Sequence, residues 1–117
     1  MVEFLDESRG NLLAVRVTKV VDKYNFEAFN PELEKVVDDY DDPRFYMELP
    51  EFDKATPRAI FEDFTNLPSY NKFKKIAVVG DAKWKEVVIE VMGAVMSPAT
   101  KYFNFDEKEK AISWVKM

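Results

Sequence analysis

The sequence predicts a single α/β domain over residues 1–117, with a mixed, mostly parallel sheet of about five strands flanked by helices. The first observation is the run of four apolar residues at 76–79. Apolar residues that do not alternate with polar ones are typical of a strand buried on both faces in a parallel sheet. The second is the alternation of short strands and amphipathic helices in the order ββαβαβαβα. The third is a hydrophobic content of 47% with 3 Gly and 6 Pro, enough for one core at this length.

The first half of the chain predicts a hairpin, a helix and a third strand. Residues 2–5 and 12–17 form short strands, and the turn residues 8–11 between them favour antiparallel pairing. Because Asn30 can cap a helix and Pro31 suits the first helical position, we expect a single turn up to residue 29 and the main helix from 31 onward. The aspartates after Val37 disfavour a helix C-terminus through the dipole, so the helix should end near them. Residues 44–49 form the third strand. The apolar face of the helix comprises Phe26, Phe29, Leu33, Val36, Val37 and Tyr40.

The second half predicts the remaining helices and strands. Thr56 and Pro57 begin a helix with an apolar face, and the buried strand follows it. Gly80 permits a sharp exit from that strand, and Asp81 can cap a third helix whose apolar stripe begins at the mostly buried Trp84. Residues 100–105 form the last strand. Asp106 and Glu109 cap a short final helix that carries Ala111, Ile112 and Val115.

The composition excludes several function classes. The chain has no Cys and no His, which removes disulfides, thiolate nucleophiles, imidazole metal ligands and Ser-His-Asp catalysis. A net charge of -5 argues against nucleic acid as a partner. The aspartates at 38–42 lack the Gly and the terminal Glu of a calcium loop, so we expect no metal and no cofactor. No apolar run could span a membrane and the acidic start is no signal peptide, so we expect a cytoplasmic protein.

The chain resembles the SpoIIAA-like family, which is related to STAS domains and to CRAL-TRIO lipid-binding proteins. The resemblance implies a mixed sheet flanked by helices, homodimers and no assigned enzymatic activity. Two features of the relatives are missing: a His shortly before Phe73, and the Asp-Ser-Ser-Gly phosphorylation motif of anti-sigma antagonists, whose place is taken by residues 53–57. The residues that carry the resemblance are Asn11-Leu12 near Gly10, then 45–49 leading through Glu51-Phe52 to Thr56-Pro57, and Phe73 through 76–81 to Trp84.

A candidate ligand site follows from the two helix starts, at Thr56-Pro57 and at Gly80-Asp81. If the strands before them are parallel neighbours, both helix N-termini open on one edge of the sheet, where free N–H groups favour an anionic head group beside an apolar wall. The alternative is a purely structural role. Thr56 and Asp81 would then act only as helix N-caps, and the aromatic residues would belong to the hydrophobic core. The candidate residues are Phe52, Thr56, Ile60, Phe61, Gly80, Asp81 and Trp84.

Two non-catalytic functions remain open, and for a third class, an enzyme, the sequence shows no constellation of catalytic residues. The first is binding of a small apolar or amphipathic, lipid-like ligand. The alternative is a STAS-like protein-interaction or regulatory domain that acts as a homodimer. Glu48 is a separate point of interest, because alternation places it with Tyr46 on one strand face, and we expect it to be exposed or at the rim of a pocket.

Overall fold

The computed structural model describes residues 2–17, 23–49, 72–81 and 99–117, and the structural statements below concern these residues. The predicted elements at 50–71 and 82–98 lie outside them. The described elements are, in chain order, β1 (Val2–Phe4), β2 (Leu12–Val17), α1 (Lys23–Asp39), β3 (Arg44–Glu48), β4 (Lys75–Gly80), β5 (Ala99–Asn104), a 3₁₀ turn (Phe105–Glu107) and α2 (Lys108–Lys116).

The five strands form one sheet in the order β1-β2-β3-β4-β5. β1 pairs antiparallel with β2, and every later pair is parallel. This confirms the predicted mostly parallel sheet of five strands and the antiparallel hairpin. Gly10 lies in the hairpin turn with φ +57°, a left-handed conformation that glycine adopts without steric cost. Among the described strands, β1 and β5 lie at the two ends of this order.

The sheet is the centre of the core, and β4 is buried on both faces as predicted. Ile76 and its three successors have no exposed surface, because α2 covers one face of the strand and apolar residues lie against the other. On the opposite face the rings of Phe45 and Phe73 pack with centroids 5.5 Å apart. The α2 face is formed by Leu12, Ala14, Tyr46, Ala77, Val79 and Phe103 from the sheet with Ala111 and Val115 from α2.

The first helix differs from its prediction. α1 runs without interruption from Lys23 to Asp39 and contains Pro31 in its interior, where a single turn and a separate main helix were expected. Asn30 therefore caps nothing, and its side-chain amide donates to Glu34 one helical turn later, at 3.2 Å. Proline removes one backbone hydrogen bond and costs about 3 kcal/mol in a helix interior. The helix nevertheless continues past Pro31. The helical hydrogen bonds before and after the proline and the packing of the buried Leu33 compensate for the one that is missing. The end of α1 at Asp39 is where the prediction placed it.

The ends of two other elements were also predicted. Gly80 is the last residue of β4 and pairs with Asn104, so the strand ends where the sequence placed its exit. The final helix is preceded by a 3₁₀ turn, and the carboxylate of Glu107 accepts the backbone N–H of Asn104 at 3.1 Å. The capping pair is thus Asn104 with Glu107, because β5 ends at Asn104, and not Asp106 with Glu109.

Candidate functional site

Two residues of the predicted ligand site are described, and both lie at the end of β4. The backbone carbonyl of Asp81 accepts a hydrogen bond from the hydroxyl of Tyr102 on β5. Burial raises the pKa of Tyr102, and the negative charge of Asp81 adds to this. The contact ties the end of β4 to the middle of β5. The other predicted members lie outside the described residues: Phe52, Thr56, Ile60, Phe61 and Trp84. The expected burial of Trp84 stays a prediction for the same reason.

A buried carboxylate lies at the centre of a polar network on the α2 face of the sheet. Glu48 is only 6% exposed. Its Oε2 accepts from the hydroxyl of Tyr46 at 3.0 Å, and its Oε1 accepts from Nε of Arg16 at 3.2 Å and from Nζ of Lys108 at 3.1 Å. The shared face of Tyr46 and Glu48 was predicted correctly. The expected exposure of Glu48 is wrong, because α2 and the neighbouring strand bring two cations over this face.

The network forms one wall of an open groove beside the N-terminal half of α2. The groove has a volume of about 420 Å³, so the alternative placement of Glu48 at a pocket rim is correct. Its lining carries charges of both signs, and more of its surface is apolar than polar. The lining residues are Glu7, Tyr46, Glu48, Lys108, Glu109, Ile112 and Ser113.

The electrostatics of this network favour a structural role. Burial raises the pKa of Tyr46, and the charge and hydrogen bond of Glu48 raise it further. The hydroxyl therefore stays protonated at neutral pH and acts as a donor, whereas an activated nucleophile needs a lowered pKa or an adjacent free base. Arg16 and Lys108 neutralise the carboxylate that could otherwise serve as that base.

A second polar cluster holds the C-terminal end of α2. Nη1 of Arg44 donates to the carbonyl of Val115 at 2.7 Å, and Nζ of Lys75 donates to the carbonyl of Trp114 at 3.2 Å. Arg44 and Lys75 are register partners at the starts of β3 and β4, so both cations face the negative end of the helix dipole. Sequence reasoning missed both contacts. The available signal was a pair of basic residues at the starts of two neighbouring parallel strands.

An exposed apolar surface lies between the hairpin and α1. Phe4 is 51% exposed and Tyr40 is 42% exposed. They line a groove of about 390 Å³ together with Leu5 and Val36. We call these four residues the Phe4–Tyr40 patch. Glu32, Lys35 and Asp39 of α1 line the same groove and supply charges of both signs. The hydroxyl of Tyr40 lies close to Gly10, 3.9 Å from the position of an added Cβ.

Comparison with known protein families identifies the chain. The model of the family described as SpoIIAA-like matches residues 12–116. This protein belongs to the SpoIIAA-like family. The match confirms the resemblance seen in the sequence. The SpoIIAA-like segment begins at the first residue of β2 and ends at the last residue of α2, so it includes both polar clusters but not β1.

Other comparisons add little to this family assignment. No curated protein and no solved structure matches the chain. Within the part of this SpoIIAA-like chain that the structure describes, no helix is long and apolar enough to cross a membrane. The described residues also contain no group of three potential metal-ligating side chains.

Proposed function

We propose that this chain is a non-catalytic protein-interaction or regulatory domain of the STAS kind, acting as a homodimer. Membership of the SpoIIAA-like family supports the class of function. The observation that carries the proposal is the Phe4–Tyr40 patch, because two large apolar side chains about half exposed across one groove are typical of an association surface.

The composition of the patch suits contact with a second copy of itself. A two-fold interface brings the same surface together twice, so it is favoured when apolar residues are combined with charges of both signs. Lys35 lies between Glu32 and Asp39 on the same helix, and one copy can therefore offer its lysine to the acidic residues of the other. Aromatic residues such as Phe4 and Tyr40 are enriched at interface centres.

Sedimentation velocity at micromolar concentration tests the homodimer. We expect about twice the monomer mass for the wild type and mainly monomer for the double variant Phe4→Ser, Tyr40→Ser. Met117→Ser is the matched control, because Met117 is a large apolar residue 79% exposed outside the patch. A single monomeric species for the wild type at all accessible concentrations contradicts the proposal, as does a dimer that survives the double variant. Thermal unfolding followed by circular dichroism verifies that each variant is folded.

The lipid-like ligand predicted from the sequence stays a prediction, since five of its seven residues lie outside the described part of the chain. A native mass spectrum of freshly purified protein separates the two functions. A dimer without added mass supports the interaction domain, and a co-purified amphiphile supports ligand binding. Fatty-acid titration followed by amide chemical shifts then places the ligand, with Gly80 and Asp81 as the described reporters.

A further inference from the structure

The groove beside the N-terminal half of α2 combines apolar surface with two exposed carboxylates. Tyr46 and Ile112 line it, and Glu7 from the loop between β1 and β2 lines it together with Glu109 from α2. Both glutamates are exposed to solvent. Burial and Glu48 raise the pKa of Tyr46, and the negative charge of Glu7 raises it further. Glu7 is therefore near enough to act on a charge inside the groove.

The charges that line this groove are negative on balance. Nζ of Lys108 lies 3.1 Å from Oε1 of Glu48, so these two charges neutralise each other. Arg16, the other cation on Glu48, is not among the lining residues. Within the described part of the chain, neither Glu7 nor Glu109 takes part in an ion pair. The occupant that complements these two carboxylates is a cation.

Lys108 shows how this groove holds an ammonium group. Its Nζ lies 3.1 Å from the carboxylate of Glu48 and 5.6 Å from the ring centroid of Phe105. A side chain with an aliphatic stem and a cationic head covers apolar surface with its stem and keeps its charge beside water and carboxylates. The chain's own lysine is thus a model for a second basic side chain that enters from outside.

The length of the surface favours a protein segment over a free amine. A second groove, of about 400 Å³, meets the first at Glu7 and reaches Lys116 in the last turn of α2. From Glu109 to Lys116 the helix rises about 10 Å, which an extended chain covers with about three residues. Asp6 and Arg9 also line the second groove, so its charges are of both signs and favour neither an anion nor a cation there. The preference for a cation is therefore confined to the first groove.

We propose that the groove beside the N-terminal half of α2 binds a lysine or arginine side chain of an extended basic segment from a partner protein. Glu7 and Glu109 pair with the cationic head, and Ile112 contacts the aliphatic stem. The inference rests on the proposed interaction function and names the chemistry of a partner for it. None of the described residues that line this groove belongs to the Phe4–Tyr40 patch, so the partner and a second copy use different surfaces.

A peptide titration followed by amide chemical shifts tests this partner. The probe is a peptide of about seven residues, blocked at both ends, with one arginine at the centre of serine and valine residues, which is long enough to follow both grooves. At low ionic strength we expect shift changes in Tyr46, Glu48 and residues 109–113, and weaker binding at high salt because exposed ion pairs are screened. A peptide with glutamine in place of arginine should not bind.

The double variant Glu7→Gln, Glu109→Gln should weaken the affinity for the arginine peptide roughly three- to tenfold, because two exposed ion pairs are lost. The matched control is Asp38→Asn with Asp41→Asn, which makes the same change in net charge at exposed residues outside the groove. Thermal unfolding verifies that both double variants are folded. Equal affinities of the wild type and the glutamate variant overturn the inference, as does an equal loss in the control.

Other outcomes assign the groove to a different occupant or separate the two proposals. Methylguanidinium that binds as tightly as the arginine peptide overturns the protein segment and assigns the groove to a small organic cation. Loss of self-association in the glutamate variant overturns it in favour of a second copy of the chain. A dimer that depends on Phe4 and Tyr40 but does not bind the peptide overturns this inference alone, whereas a monomer that binds the peptide overturns only the proposed homodimer.

Discussion

The guanidinium of Arg44 donates a 2.7 Å hydrogen bond to the backbone carbonyl of Val115, 71 residues further along the chain. This bond joins the start of β3 to the last turn of α2, and the side chain of Arg44 is 8% exposed. At the other end of α2, Lys108 forms its ion pair with Glu48 at the end of β3. One strand therefore positions both ends of the helix, and the helix in turn closes the core over the sheet.

Replacing Arg44 by Met should destabilise the fold by about 2–3 kcal/mol, because hydrogen bonds to charged groups contribute about 1.5–3 kcal/mol and the carbonyl of Val115 loses its donor. Urea denaturation followed by tryptophan fluorescence measures the change. Lys74→Met is the control, since Lys74 is exposed just before β4. A loss below about 0.5 kcal/mol for the Arg44 variant, the range of ordinary surface substitutions, means that the contact does not stabilise α2.

Removing different side chains of the network around Glu48 should reduce the stability of the fold by different amounts. Glu48→Ala leaves the buried hydroxyl of Tyr46 without its acceptor, so we expect a cost of about 1–3 kcal/mol. Arg16→Ala and Lys108→Ala should each cost at most about 1 kcal/mol, because both side chains are nearly half exposed and water can replace the carboxylate. Chemical denaturation of the three variants measures the loss in unfolding free energy of each and so ranks them. Equal losses in all three contradict this account.

The stability should fall in alkaline solution because of two tyrosines. Burial raises the pKa of Tyr46 and of Tyr102 in the folded protein above the unfolded value of about 10. Their stabilising contribution is therefore complete below about pH 10 and is lost as the pH rises toward the folded pKa values, since the unfolded chain releases these protons first. Unfolding free energies measured between about pH 9 and 12 should decline, and the decline should be shallower in Tyr46→Phe. An identical slope in that variant rules out the contribution of Tyr46.

Gly10→Ala should cost roughly 1–2 kcal/mol through backbone strain alone. The left-handed φ of +57° disfavours any residue with a Cβ, but the nearest side-chain atom, the hydroxyl of Tyr40, lies 3.9 Å away and does not clash. Gly10→Asn should cost less, because asparagine tolerates this conformation better. Thermal unfolding compares the two. If alanine and asparagine cost the same, the conformational explanation is wrong.

The sheet could be predicted from the sequence because its signals are local. The unbroken apolar run at 76–79 identifies a strand buried on both faces, and the alternation from Phe45 to Glu48 places Tyr46 and Glu48 on one face without reference to any other segment. The predicted β2 agrees with the structure residue for residue, and the family resemblance in the same segments was confirmed.

The sequence by itself determined the class of fold, the strands and the hairpin of this SpoIIAA-like chain, because hydrophobic periodicity and turn residues act within a few positions of each other. Only the tertiary structure decided the burial of Glu48, the anchoring of α2 by Arg44 and Lys75, and the continuity of α1 through Pro31. The physical reason is the same for all three. The two cationic partners of Glu48 and the carbonyl that accepts from Arg44 lie 32 to 71 residues away, so these contacts exist only once the sheet and α2 are assembled. Local preference is likewise too weak to end α1 at a proline when packing favours its continuation.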